Sequence, residues 1–540
     1  MFVNRTEELA RLQARYASNR AELFVLYGRR RVGKTELLRE FCRDKAHIFF
    51  VATLSSDSDQ LAAFSQMIWQ YTHSEVEDTF TFPSWEAAFK ALADLPGRPI
   101  VIIDEITYLI AGNKAIPSIL QKVWDAQLSR SNILLILCGS YIGMIEREIL
   151  DYQAALYGRR SGSELLLPLE LPAVAAFFPT ASPSQLIENW AVLGGMPYYL
   201  NLFSHQQELF SNIRTHILHP QGTLFNEPLL LLVEELREPR NYFSILRAIA
   251  AGHTRLNEIA QAAGVGDSSA TARYLDILQQ LRVVRRLVPI TERQPEKSKK
   301  GIYQIEDAFL HFWFRFVHPY RGSLELGLTD AIFSQRVQPV FDAFVGHALE
   351  EAAQSYVTRL ARNGQLPFLP ERVGRWWRHD DEIDVVAISD ADKALLVGEC
   401  KWSSKPVGLN ILVDLQRKAK ALQVDGAWQI TYALFAKSGF TPDLAALAQT
   451  EGILLVGPAE LPHQLALHAA RVGACTERGR RGDGRRPDSL LRQGEVAAGA
   501  HAGPPRDRDE HQRVPADAHA LALYPGQGEK GGPPHSVAAG

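Results

Sequence analysis

The chain has 540 residues, 46% hydrophobic and 22% charged, a length that calls for roughly three or four folded units with ordinary cores. Its 58 Lys+Arg stand against 61 Asp+Glu, net −3, which excludes a uniformly basic coat for nucleic acid and confines any such surface to one region. Apolar runs fall short of the ~20 residues of a membrane span, and no charged-then-apolar leader opens the chain. The four cysteines, with no Cys-x-x-Cys, exclude a disulfide scaffold or a cysteine-rich zinc module, so a reducing cytoplasm is the expected setting.

In chain order, Asn4 is a candidate N-cap with Glu7 three residues on, ahead of apolar residues at helical spacing. Strands are expected at Leu23–Tyr27, His47–Val51, Pro99–Ile103 and Ile133–Cys138, near-continuous apolar runs of the kind that parallel strands covered on both faces carry. Alternation of these runs with helical stretches predicts an α/β unit with a parallel sheet. The sequence Gly28-Arg29-Arg30-Arg31-Val32-Gly33-Lys34-Thr35 follows the first strand and precedes the helical Glu36–Cys42. In that setting the glycines let main-chain N–H groups converge on a phosphate, and the helix N-terminus adds partial positive charge. Lys34 is expected to reach the β- and γ-phosphates and Thr35 to ligate Mg²⁺, making ATP and Mg²⁺ the expected cofactors. The strand Ile100–Ile103 ends in Asp104-Glu105, with Asp104 offered to the metal and Glu105 to the attacking water. Ser140, after Cys138-Gly139, is placed to sense the γ-phosphate or the water from the neighbouring strand, and Arg159 of Gly158-Arg159-Arg160 to neutralise transition-state charge, in cis or from a neighbouring subunit of a homo-oligomer.

These motifs, with the Phe2-Val3-Asn4-Arg5 opening, Leu156-Tyr157-Gly158-Arg159 and Gly194-Gly195-Met196-Pro197-Tyr198-Tyr199-Leu200, resemble the archaeal-type ATPases on the AAA+/STAND side of the P-loop NTPases. The resemblance covers roughly residues 1–235. It implies a P-loop ATPase core over 1–165 and a helical lid over 166–238, with residues 2–5 bordering the adenine and Gly195-Met196-Pro197 reporting nucleotide state.

Residues 239–310 read as three helices and a hairpin. Tyr242–Ala250 is apolar-periodic, Thr254 is a candidate cap for Arg255–Ala263, and Ser268/Ser269 open Ala270–Leu281. Arg282–Ile290 and Gly301–Ile305 bracket the charged Thr291–Lys300, the layout of a winged helix-turn-helix. Residues 240–300 hold eleven Lys+Arg against five acids, +6 in a chain of net −3, a reversal that favours phosphate contact, with Arg273 and the Lys297–Lys300 wing foremost.

Residues 335–465 form a second small α/β unit. A hairpin turning at Ala391-Asp392 places Asp384 opposite Glu399, with Lys401 on the same face two residues on. Two facing carboxylates repel unless a divalent metal lies between them; such a metal can lower the pKa of bound water and neutralise a scissile phosphate while the lysine orients the nucleophile. Glu350, on a helix over Phe341–Tyr356, is a candidate third carboxylate, and Asp414–Lys418 opens a flanking helix. The set resembles the PD-(D/E)XK nuclease-like superfamily, with Asp384, Glu399 and Lys401 at its motif positions. That resemblance implies Asp384 and Glu399 as metal ligands and an endonuclease acting on DNA. The alternative is a nucleotide-switched DNA-binding regulator or scaffold whose nuclease fold only grips DNA; a third reading is a chaperone-like ATPase acting on proteins. Trp376-Trp377-Arg378-His379 either stacks on bases or covers a strand edge, and His311 is expected in a packed helix. Residues 471–540 hold 12 Gly and 7 Pro without periodicity and read either as a solvated tail or as translation in the wrong frame.

Overall fold

The computed structural model describes residues 2–73, 80–236, 239–422 and 428–462; the stretch 471–540 lies outside the described residues. Five strands, β1 (Glu22–Tyr27), β2 (His47–Val51), β3 (Ile100–Asp104), β4 (Leu134–Gly139) and β5 (Gly162–Leu165), form an all-parallel sheet in the order β2-β3-β4-β1-β5. The four expected strands are present within a residue or so of their expected ends; β5 has no apolar run to announce it. Successive residues face opposite sides: Phe24, Leu26, Ile100 and Ile102 enter one core, Leu23, Val25, Val101 and Ile103 the other. Burial of both faces explains why these strands read as unbroken apolar runs.

Beyond the sheet, a helical region with Pro183–Leu193, Pro197–Leu202 and Glu227–Glu235 occupies the stretch expected to be helical. Helices Pro239–Ala250, Leu256–Ala263 and Ser268–Gln280 follow, then an antiparallel ribbon of β6 (Val284–Leu287) and β7 (Ile302–Ile305). Three caps differ from expectation. Arg5, in the left-handed region at φ 69°, precedes the first helix in place of Asn4, and its guanidinium donates to main-chain oxygens elsewhere. Arg255 rather than Thr254 flanks the second of the three helices, and the Asp267 carboxylate accepts from the Ala270 N–H and starts the third before Ser268.

The helix Phe341–Arg362 then leads into a mixed sheet of β8 (Arg372–Arg378), β9 (Asp381–Ser389), β10 (Ala394–Lys401), β11 (Gln429–Ala436) and β12 (Leu454–Val456), ordered β12-β11-β10-β9-β8. Strands β8, β9 and β10 are antiparallel; β10, β11 and β12 are parallel. The β9–β10 register runs from Ala394 opposite Ser389 to Gly398 opposite Val385, which carries Asp384 to the level of Glu399 as the hairpin reading requires. The helix Leu409–Lys420 starts well before Asp414, the residue expected to open it, and packs Leu412 and Leu415 on the sheet. No described helix is long and apolar enough to cross a membrane.

Candidate functional site: a phosphate-loop cavity and a buried acid cluster

The loop Gly28–Gly33 joins β1 to the helix Lys34–Cys42. Gly28 has φ 153°, and a Cβ there would lie 2.5 Å from the Leu166 carbonyl oxygen, so only glycine fits that approach. Gly33, at φ 97°, turns the chain into the helix. Lys34 is 5% exposed, and its Nζ donates to the carbonyl oxygens of Gly28 (2.8 Å) and Arg29 (3.1 Å), which holds the ammonium over the loop. The Thr35 hydroxyl donates to Asp104 Oδ2 at 2.8 Å. Asp104 is buried at the end of β3, and its Oδ1 accepts from the Glu105 N–H at 3.0 Å. Glu105 takes the left-handed conformation at φ 54°, and its Oε2 accepts from the Ser140 N–H (3.1 Å) and hydroxyl (2.8 Å). Ser140 thus orients Glu105, a role expected of neither residue from the sequence.

A cavity of 430 Å³ opens over this arrangement, lined by Gly33, Lys34, Thr35 and Glu105 on one side and by Phe2, Val3, Phe177, Pro197 and Tyr198 on the other. Its second wall brings the chain opening and the Gly194–Leu200 motif to one place. Arg5 pins that opening, donating to the main-chain oxygens of Val32 (3.2 Å) and Leu167 (2.7 Å). Of the three loop arginines expected at the nucleotide, Arg30 and Arg31 line this cavity and Arg29 does not, and each side chain reaches a different element. Arg29 pairs with buried Asp307 at 2.5 Å, Arg30 bonds the Tyr108 hydroxyl, and Arg31 pairs with Glu227 at 2.8 Å while lying over the Tyr198 ring. Their main chain remains in the loop. Arg159 does not line the cavity: Asp125 holds it at 2.9 Å, an ion pair that its sequence neighbours did not announce. Glu227 and Asp307, far along the chain, had no local signal.

In the second sheet, Asp384 Oδ2 accepts from the Cys400 N–H at 2.8 Å, and Gln354 donates to the Asp384 carbonyl at 2.8 Å. Glu399 accepts from Lys401 at 2.8 Å and from Lys418 at 3.2 Å. Glu350 pairs with Arg375 at 3.1 Å, and Arg375 also meets Glu382. Burial pushes Glu350 and Asp384 up to about 7, with neighbouring carboxylates adding to the rise. Lys401 and Lys418 pair with Glu399, and burial drives Asp384 toward its protonated form, so the repulsion between the facing carboxylates is also met by the chain's own charges. Among the described residues no group of three or more His, Cys, Asp or Glu that could hold a metal is formed.

The parallel sheet and the Lys34, Thr35, Asp104 and Glu105 set define an ATPase domain of the P-loop class. A model of the ATPase domain predominantly from Archaea matches residues 2–203, and one of archaeal and bacterial proteins of unknown function matches residues 313–418. An uncharacterized protein of Methanocaldococcus jannaschii is 34% identical over 441 residues, 81% of this chain and 96% of that one. An uncharacterized ATP-binding protein of the same organism is 56% identical over 45 residues, 8% of this chain and 76% of that one. A solved Walker-type ATPase of Pyrococcus abyssi is 22% identical, covers 58% of this chain and 96% of its own, and superposes with a TM-score of 0.45. The chain belongs to this archaeal-type ATPase family and carries both the ATPase domain and the C-terminal domain of unknown function.

Proposed function

We infer that this chain binds and hydrolyses Mg²⁺-ATP in the cavity beneath the helical region. The observation that carries the reading is the convergence on one cavity of Lys34, the Thr35–Asp104 hydroxyl–carboxylate pair and a Glu105 held by Ser140. Hard oxygen donors side by side suit Mg²⁺, which Thr35 and Asp104 would hold and which neutralises phosphate charge when bound. Loop amides and the helix N-terminus accept the phosphates, and Lys34 exchanges its two carbonyl partners for phosphate oxygens. Glu105 orients the water and takes its proton, while Ser140 fixes the carboxylate's direction. In a nucleotide-binding assay Lys34→Ala loses tight binding; Glu105→Gln binds but turns over about 10²–10⁴-fold more slowly, the usual weight of a general base. Equal turnover in wild type and Glu105→Gln removes Glu105 from the mechanism.

The remainder of the chain is assigned to nucleic acid. Three helices and a ribbon in winged-helix order, carrying +6 over residues 240–300, support DNA contact, with Arg273 exposed on the reading helix. The helix–three strands–helix–strand order of 341–436 supports the PD-(D/E)XK-like fold. Glu399 held by Lys401 and Lys418 favours a domain that grips DNA over one that cuts it. Plasmid incubated with Mg²⁺ or Mn²⁺ remains intact on this reading; nicking that Lys401→Ala abolishes reinstates the nuclease. Cys42, Cys138 and Cys400 are free and buried, which fits a reducing compartment.

A further inference from the structure

A cavity of 940 Å³ lies outside the ATPase core. It lies between the ribbon and the β8–β9 turn, with Arg255, Lys299 and Lys300 on one wall and Trp377, Arg378 and His379 on the other. The two walls come from segments that the sequence separates by some 80 residues, and they are fixed to each other. The Ile290 N–H donates to the Arg375 carbonyl at 2.9 Å, and Arg372 donates to the Ile290 carbonyl at 2.8 Å. Arg286 donates to the Pro295 carbonyl at 2.9 Å and to that of Ser298, which shapes the ribbon's loop.

Three acids near the groove are paired: Glu292 with Lys300 at 2.7 Å, Asp381 with Arg417 at 2.8 Å, and Glu382 with Arg375. Arg255, Lys299 and Arg378 are exposed and have no acidic partner among the described residues. Period-two alternation sends Trp376, 3% exposed, into the core and leaves the half-buried Trp377 in the groove wall. A ring set among unpaired cations matches a polyanion that offers flat faces at each repeat. A duplex hides those faces in its stack, whereas a single strand presents them.

We propose that this groove holds a single nucleic-acid strand, its phosphates on Arg255, Lys299 and Arg378 and a base on Trp377. The groove adjoins a second cavity of 440 Å³ that reaches Glu350 and Arg375, with Arg286 and Trp377 in the walls of both, so a strand laid here passes the buried acid cluster. The inference rests on the nucleic-acid part of the function inferred above and names the ligand and its place.

The test measures fluorescence anisotropy of labelled oligothymidylate, oligouridylate and a DNA duplex with the full chain. The expected result is tighter binding of a single strand than of the duplex; the more tightly held of the two oligomers identifies the strand as DNA or RNA. Trp377→Ala weakens single-strand binding roughly tenfold, the loss that removing one stacking ring brings, while Trp377→Phe largely restores it. Arg378→Glu weakens it without relying on the ring, and ATP turnover in the absence of nucleic acid is unchanged in all three variants. Duplex bound well, with single strands bound no better and Trp377→Ala and Arg378→Glu without effect, overturns the groove and leaves the winged-helix reading standing. Absence of binding to any of the three probes overturns both.

Discussion

Ser140 and Glu105 lie 35 positions apart, yet they form one hydrogen-bonded unit because β3 and β4 are neighbours in the sheet. Ser140→Ala is expected to leave nucleotide affinity intact and to slow turnover about tenfold, since Glu105 loses its hydroxyl donor but keeps the Ser140 N–H; single-turnover kinetics separates the two. The phosphate loop and the acid pair were legible in the sequence because each is contiguous and abuts an apolar strand. The partner of Ser140 was not, because strand order is not written locally. His311 gives a second residue-scale expectation. It packs at 5.0 Å from the Phe344 ring, and burial with the nearby His347 and Arg315 pushes its pKa down to about 3. The unfolded chain takes up a proton near 6.5 and the folded one does not, so the stability tied to His311 is lost as pH falls from about 6.5 toward 3. Melting temperatures of wild type and His311→Phe should therefore converge, or reverse in favour of the variant, across that window.

Between elements, the connections are made by main-chain approach and by buried charge. The Leu169 N–H donates to the Gly195 carbonyl at 2.8 Å, and a Cβ on Gly195 would sit 1.7 Å from the Leu169 carbonyl oxygen. Gly195→Ala is expected to push the helical region off the core and lower both melting temperature and nucleotide affinity; an unchanged affinity would detach this contact from the site. Asp307 receives Arg29 of the phosphate loop and, through Oδ1, the Leu310 N–H at the start of helix Ala308–Phe316. Asp307→Ala removes an acidic partner of buried Arg29 together with the acceptor for the Leu310 N–H, and should lower stability in chemical denaturation by at least the ~1 kcal/mol of a lost helix cap. At this scale the β9–β10 register was readable from strand period and turn position, two constraints that admit one pairing. Helix starts were read less well. Arg5 and Arg255 occupy positions that side-chain capping rules give to Asn4 and Thr254, while Asp267 outcompetes the serines after it.

Across the whole molecule, charge is more evenly settled than motif reading implied. Lys418 and Arg375 come from elements other than those bearing Glu399 and Glu350, and their arrival adds ion pairs to the acids of the expected metal site. A sequence lists these charges without saying which will meet. Nucleic-acid binding is expected to weaken with salt, and Arg378→Ala should reduce the log–log slope by about one, the signature of one lost phosphate contact. An unaltered slope would place Arg378 outside the bound path.

The attachment of Ile290 to Arg375 has a bearing on self-association. An outermost strand with bare amides invites a like strand from another copy, the first step toward runaway polymer. Here the margin at β8 is partly roofed by the ribbon's own stem, with Arg372 clasping it from beneath. Copies joining by strand addition along that border would first have to peel the stem away, which biases the molecule against growth there and keeps the neighbouring cleft open to solvent.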